Sequence, residues 1–250
     1  MGRDAQPQAM VRPASRSDRG APVALQPPLL APAAVPGPAE AWLPLSGLTL
    51  ALFLVAHLAA VSLALVDPAR FERLAAALHQ QPWLPVAELL LAAALLLHPA
   101  LALLRSLRNR WAKGPSAGPL RSRRNGSGEP VAALAARWTP WSGGVLLVFL
   151  VVHLLQLRLH RPGPGDELAA LLTALASPVA LGLYGLAGLA VALHLLHGHE
   201  SAHRSLGWLD PANRDRIRGL GRTLALALGA GFCLLPFALV VRASHPDLSP

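Results

Sequence analysis

Five long apolar runs alternate with polar segments along this chain. Read from the hydrophobic positions alone, they fall at about 44–66, 83–104, 141–158, 177–197 and 223–241. Runs of 18 or more apolar residues are long enough to cross the hydrocarbon core of a bilayer as helices. Inside these cores the only acidic side chain is Glu88. A buried soluble bundle is the alternative architecture, and five nearly uncharged runs of this length argue against it. The pattern therefore predicts an all-α integral membrane bundle of five transmembrane helices, covering residues 41–245. Residues 1–40 show no periodicity. They are rich in Pro, Ala, Gln and Arg and read as a disordered cytoplasmic tail. That tail has no continuous apolar stretch followed by a small-residue cleavage site, so no secretory signal is expected.

Composition agrees with the pattern, since 53% of residues are hydrophobic and only 14% charged. The net charge of +9 raises the question of nucleic acid, but its distribution gives another answer. Seventeen of the 22 Lys and Arg residues fall in the N-terminal tail and the second and fourth loops, and five fall in the remaining segments. Alternate segments share one side of a membrane. The positive-inside rule then places the N-terminus in the cytoplasm and the C-terminus outside. The basic loops need no nucleic acid; membrane lipid headgroups or an acidic partner suffice. Trp42, Trp83, Trp111, Trp138, Trp141 and Trp208 fall at or just beyond span ends, as an interfacial belt requires.

The candidate chemistry lies in four histidines, one in each of the first four runs: His57, His98, His153 and His194. The first and third runs are near copies, with the same spacing from Ser46-Gly47 to His57 as from Ser142-Gly143 to His153. An imidazole in hydrocarbon is costly unless something binds it. At a helical rise of about 1.5 Å per residue, His57 and His153 both sit roughly 16 Å from the cytoplasmic face. The second and fourth runs go the other way, and His98 and His194 lie roughly 6–10 Å from the cytoplasmic side of a core about 30 Å thick. The spacing thus predicts two pairs at two depths. Two imidazoles per level, from different helices, suit bis-histidine b-type haem inside a four-helix core. A lone membrane histidine is often a packing or proton-path residue; the repeat and the matched depths favour ligation for the set. A bare metal ion would want carboxylate or thiolate ligands at one level, and the spans supply none there. The single cysteine, Cys233, permits neither a covalent haem attachment nor an iron–sulfur cluster. Gly47, Gly143, Gly182, Gly185 and Gly188 would admit either a flat macrocycle or close helix packing.

At these residues the chain resembles the single-chain, five-helix, di-haem cytochrome b membrane anchor of succinate:quinone oxidoreductase (complex II) and quinol:fumarate reductase. The resemblance covers 41–245. It rests on one histidine in each of the first four spans and none in the fifth, on the Ser-Gly-to-His spacing, and on the stretch from Ser177-Pro178 through Leu181-Gly182-Leu-Tyr184 to His194, His197-Gly198-His199-Glu200-Ser201 and Leu206-Gly207. The resemblance implies two non-covalent haem b groups, a proximal one at His98 and His194 and a distal one at His57 and His153. It also implies a flavoprotein and an iron–sulfur subunit docked on the cytoplasmic face of a bacterial inner membrane, with electrons passing through the haems to a membrane quinone, expected to be menaquinone. Ser46, Ser142, Arg137 and His197 are candidates for contacts to haem propionates. His197 is also the alternative fourth ligand if the register slips by a turn. Glu72 and Glu88 are the candidates at the quinone site, although Glu72 reads more readily as a solvated loop charge beside Arg73, and Glu88 equally as a residue snorkelling to the interface. The chain departs from some relatives at Ala192, where they carry a glutamate used in proton movement. Two rival functions remain: the cytochrome b subunit of a hydrogenase or formate dehydrogenase, and a haem-free transporter or scaffold.

Overall fold

The computed structural model describes residues 38–113 and 130–245. The expected tail up to residue 37 and its four arginines lie outside the described residues, as do Arg121, Arg123 and Arg124 of the second loop. The described chain is all-helical, with no strand among the described residues. In order it forms α1 (Pro38–Val66), α2 (Pro68–His79), α3 (Leu84–Lys113) and α4 (Pro130–His153). A π-helical turn (Leu154–Arg158) prolongs α4, and α5 (Glu167–Leu175), α6 (Pro178–Ser205) and α7 (Arg214–Ser244) follow. Residues 38–40, expected in the tail, are therefore the first turn of α1.

Among the described residues five helices, α1, α3, α4 with its π turn, α6 and α7, are long and apolar enough to cross a membrane, which makes this a multi-pass membrane protein. Large apolar side chains such as Leu52, Leu89, Leu96 and Val179 are exposed around the bundle, where a soluble protein would carry charge. All six tryptophans are exposed.

The inner framework is built on α6. Its buried face, including Tyr184, Gly185, Ala187, Gly188, Ala190 and Val191, packs against α7, and its other sides meet α4 and α1. Small residues allow this approach. A Cβ on Gly188 would collide with the backbone of Cys233, and one on Gly185 would stand 2.9 Å from Phe237 Cε2. These two glycines thus serve helix packing in the manner usual for membranes, and Cys233 is part of that contact. Below them, Ala51, Val191, Leu195, Ala225 and Leu228 form one apolar core; above, Ala64, Leu175, Tyr184 and Leu239 form another.

Local signals explain the turns. Asp67 caps α2 by accepting from the Arg70 backbone N–H at 2.9 Å, and Pro68 opens that helix where its missing donor costs nothing. At the other end of the bundle, α6 closes through Gly207 at φ 73°, with Gly207 N donating to Arg204 O at 3.2 Å and Trp208 N to His203 O at 2.9 Å. This is the paired-bond termination that a left-handed glycine permits.

A candidate site of two imidazole pairs

Each of the four membrane histidines is half-buried and faces one other. His57 of α1 and His153 of α4 have ring centroids 5.9 Å apart, with planes crossing at 81°. His98 of α3 and His194 of α6 are 6.0 Å apart, crossing at 71°. The structure brings together the same two couples that depth along the helices suggests. The helices carrying each couple share little direct backbone contact: α1 packs on α3 and α4 on α6, while the rings reach across between them.

The surroundings fix the chemistry of these rings. Ser46 Oγ donates to the carbonyl of Leu43 at 2.9 Å and lies 3.3 Å from His98 Nδ1. With its proton committed to the carbonyl, the hydroxyl offers the ring a lone pair, so His98 donates from Nδ1 and keeps a lone pair on Nε2. Ser142 repeats this: Oγ donates to Thr139 O at 3.0 Å and lies 3.3 Å from His194 Nδ1. Both serines are buried, and both lie well inside their helices, so they do not act as N-caps. Beneath each ring is a glycine. A Cβ on Gly47 would stand 2.9 Å from His98 Cε1, and one on Gly143 would stand 3.4 Å from His194 Cε1.

At the other level, Phe53 stacks on His57 (5.2 Å) and Phe149 on His153 (5.3 Å), each one turn earlier on the same helix. His153 Nδ1 lies 3.2 Å from the Tyr184 hydroxyl, which itself donates to Gln156 Oε1 at 3.1 Å. By the same reasoning His153 donates from Nδ1. The π turn after His153 carries Gln156, and such turns often mark functional positions. Sequence reading assigns no role to Tyr184, Gln156, Phe53 or Phe149. The signals were present: Tyr184 is the single tyrosine of the chain, and Gln156 is a polar residue within an apolar run.

The remaining candidates have other occupations. Ser46 and Ser142, expected at propionates, turn their hydroxyls to imidazoles. Arg137 is exposed on α4, and His197 is half-buried on α6 one turn beyond His194. Glu72 accepts from the backbone N–H groups of Glu167 (3.3 Å) and Leu168 (2.7 Å), capping α5 from α2. Glu88 pairs with Arg158 and with Arg161, the latter at 3.2 Å. Both carboxylates expected at a quinone site are thus engaged in holding the loops at that end. Ala192 lies under Gly229 of α7, in tight packing.

Each couple offers two imidazoles and no carboxylate, and among the described residues no group of three or more His, Cys, Asp or Glu converges on one point. No family model matches the chain, and no curated protein and no solved structure matches it. The class of protein therefore rests on the helices and the rings: a multi-pass helical membrane protein with paired imidazoles at two levels.

Proposed function

We propose that this chain is the membrane-anchor cytochrome b subunit of a succinate:quinone oxidoreductase, with His98 and His194 holding one b-type haem and His57 and His153 another. The observation that carries this reading is the pair of imidazole couples, drawn from four helices, at 5.9 and 6.0 Å. Two imidazoles that were to share one first-row metal ion would need ring centres about 6 Å apart, which is the separation of both couples. Two protein ligands alone do not complete the shell of a bare ion, whereas an ion carried in a porphyrin would need no more from the protein. The separation of the carrier helices and the glycines under His98 and His194 fit a flat group lying between the rings. When bound, the haems supply one-electron carriers between a soluble partner and a membrane quinone.

Within that reading the chain's own residues have distinct tasks. The four histidines bind, the serines and Tyr184 orient three of the rings, and Phe53 and Phe149 restrict the rings of the distal pair. The partners would be a flavoprotein and an iron–sulfur subunit on the cytoplasmic face. Their docking is supported by the basic end of the bundle, where the helices run past the apolar segments and carry Arg105, Arg108, Arg137, Arg204 and Arg214. The setting would be a bacterial cytoplasmic membrane with the N-terminus inside. Menaquinone is the expected acceptor, at the opposite end.

The test is a reduced-minus-oxidised spectrum and a haem assay on the chain purified from a haem-supplied host, together with its co-purifying subunits. About two b-type haems per chain are expected. His98→Ala and His194→Ala should each remove the same haem, and His57→Ala and His153→Ala the other. A colourless preparation, or His98→Ala and His194→Ala erasing different haems, overturns the reading. Co-purification of a hydrogenase or formate dehydrogenase in place of the expected pair reassigns the complex.

A further inference from the structure

The two halves of the bundle superimpose in sequence. From His57 to His153 and from His98 to His194 is 96 residues in each case, and the same offset relates Trp42 to Trp138, Pro44 to Pro140, Ser46 to Ser142, Gly47 to Gly143 and Phe53 to Phe149. The side-chain geometry repeats with it. Ser46 and His98 are 52 residues apart and 3.3 Å distant, and so are Ser142 and His194. In each half the serine hydroxyl donates to the carbonyl three residues earlier, at 2.9 and 3.0 Å. The two rings of this level therefore stand in matched environments. At the other level the match fails. His153 has Tyr184 at its Nδ1, whereas the position equivalent to Tyr184 in the first half holds Glu88, which is turned to Arg158 and Arg161.

We infer that Ser46 and Ser142 are a matched pair of positioning residues, setting the tautomer and electron donation of the two imidazoles at one level only, while Tyr184 does this for a single imidazole at the other. The inference rests on the haem reading above. A ring that donates from Nδ1 to an oxygen becomes a more basic ligand through Nε2, and a more basic ligand favours oxidised iron. Removing the acceptor should therefore raise the reduction potential of the haem that the ring binds. Two neutral hydroxyls acting on opposite faces of one haem should contribute shifts of the same sign and similar size.

The experiment is a redox titration, with electron paramagnetic resonance of the oxidised haems, on the purified wild type and on Ser46→Ala, Ser142→Ala, the double variant and Tyr184→Phe. Ser46→Ala and Ser142→Ala should each move one and the same haem to higher potential, with the double variant moving it further. Tyr184→Phe should move only the other haem. Ser46→Thr and Ser142→Thr keep the hydroxyl and should return the potential towards the wild-type value. If an alanine variant loses its haem, restoration by threonine supports the positioning role, and failure of threonine to restore it overturns the role. Unshifted potentials with both haems bound, or the two serine variants moving different haems, also overturn it. Absence of b-type bands in the wild type would instead remove the haem reading itself, before any variant is compared.

Discussion

A methyl group is enough to separate the two glycines that lie under the rings. On Gly47 it would meet His98 Cε1 at 2.9 Å, closer than real Cβ atoms approach; on Gly143 it would meet His194 Cε1 at 3.4 Å, an ordinary contact. Alanine is favoured over glycine inside a helix by about 0.8–1.0 kcal/mol. Gly143→Ala should therefore be neutral or slightly stabilising. Gly47→Ala must displace an imidazole held by Ser46, and overpacking of this kind costs about 1–3 kcal/mol. Thermal unfolding in detergent should show a lower midpoint for Gly47→Ala and none for Gly143→Ala. Among single residues, the histidines were legible because a costly group recurred in a repeated setting. The serines were visible as positions, but their task was not, because a hydroxyl's partner is set by which neighbouring helix faces it. Tyr184 and Gln156 were hidden for the same reason: they act between α6 and the π turn after α4, and no local pattern announces that contact.

At the scale of helices, hydropathy located one end of each of the first four spans closely and missed the other, and it fell short at both ends of the fifth. The ends at Val66, Leu84, Arg158 and Pro178 fall within a residue of the apolar boundaries near 66, 83, 158 and 177. The opposite ends overrun: α1 begins at Pro38, α3 reaches Lys113, α4 begins at Pro130, α6 reaches Ser205 and α7 begins at Arg214. Hydropathy detects lipid, whereas a helix, once nucleated, continues through Arg-rich sequence until a cap or breaker stops it. The two short helices of the other end, α2 and α5, lie where the apolar pattern predicts only connecting loop. The Asp67-Pro68 start of α2 is a local signal; α5 depends on a distant carboxylate, Glu72, for its first N–H groups. Glu167, in the first turn of α5, lies 3.3 Å from His79 at the end of α2. Burial chiefly, and Glu72 beside it, hold the Glu167 carboxyl above the ordinary carboxylate range, against the opposing pull of His79 and Arg161. A carboxyl raised in the folded state favours docking at low pH, and that contribution is lost as pH rises through its folded value. Hydrogen exchange across α5 should therefore show protection falling over that range relative to Glu167→Gln at each pH. Glu72→Ala should raise exchange at all pH values, by the loss of a cap worth about 0.5–2 kcal/mol.

In the whole molecule, the spans and their number followed from composition, but the arrangement did not. Nothing in the apolar runs singles out α6 as the helix against which α7, α4 and α1 all pack. Its glycines carry that information only once the backbone of α7 is seen against Gly188. The near-copy of the first and third runs hinted at symmetry, yet its extension to the second and fourth becomes clear only when Ser46 and Ser142 are seen reaching the equivalent rings.

The 96-residue offset also dictates what happens if the polypeptide is severed. Each couple takes one ring from the first half and one from the second, so a single half presents only unmatched imidazoles. If the couples hold haem as proposed, a chain divided within 114–129 should yield two fragments, neither of which retains pigment as a monomer, and co-expression should restore two haems to the reunited pair. On the haem reading the prosthetic groups would also be rivets, and exhausting the porphyrin supply should loosen the seam between the halves before it unfolds either one.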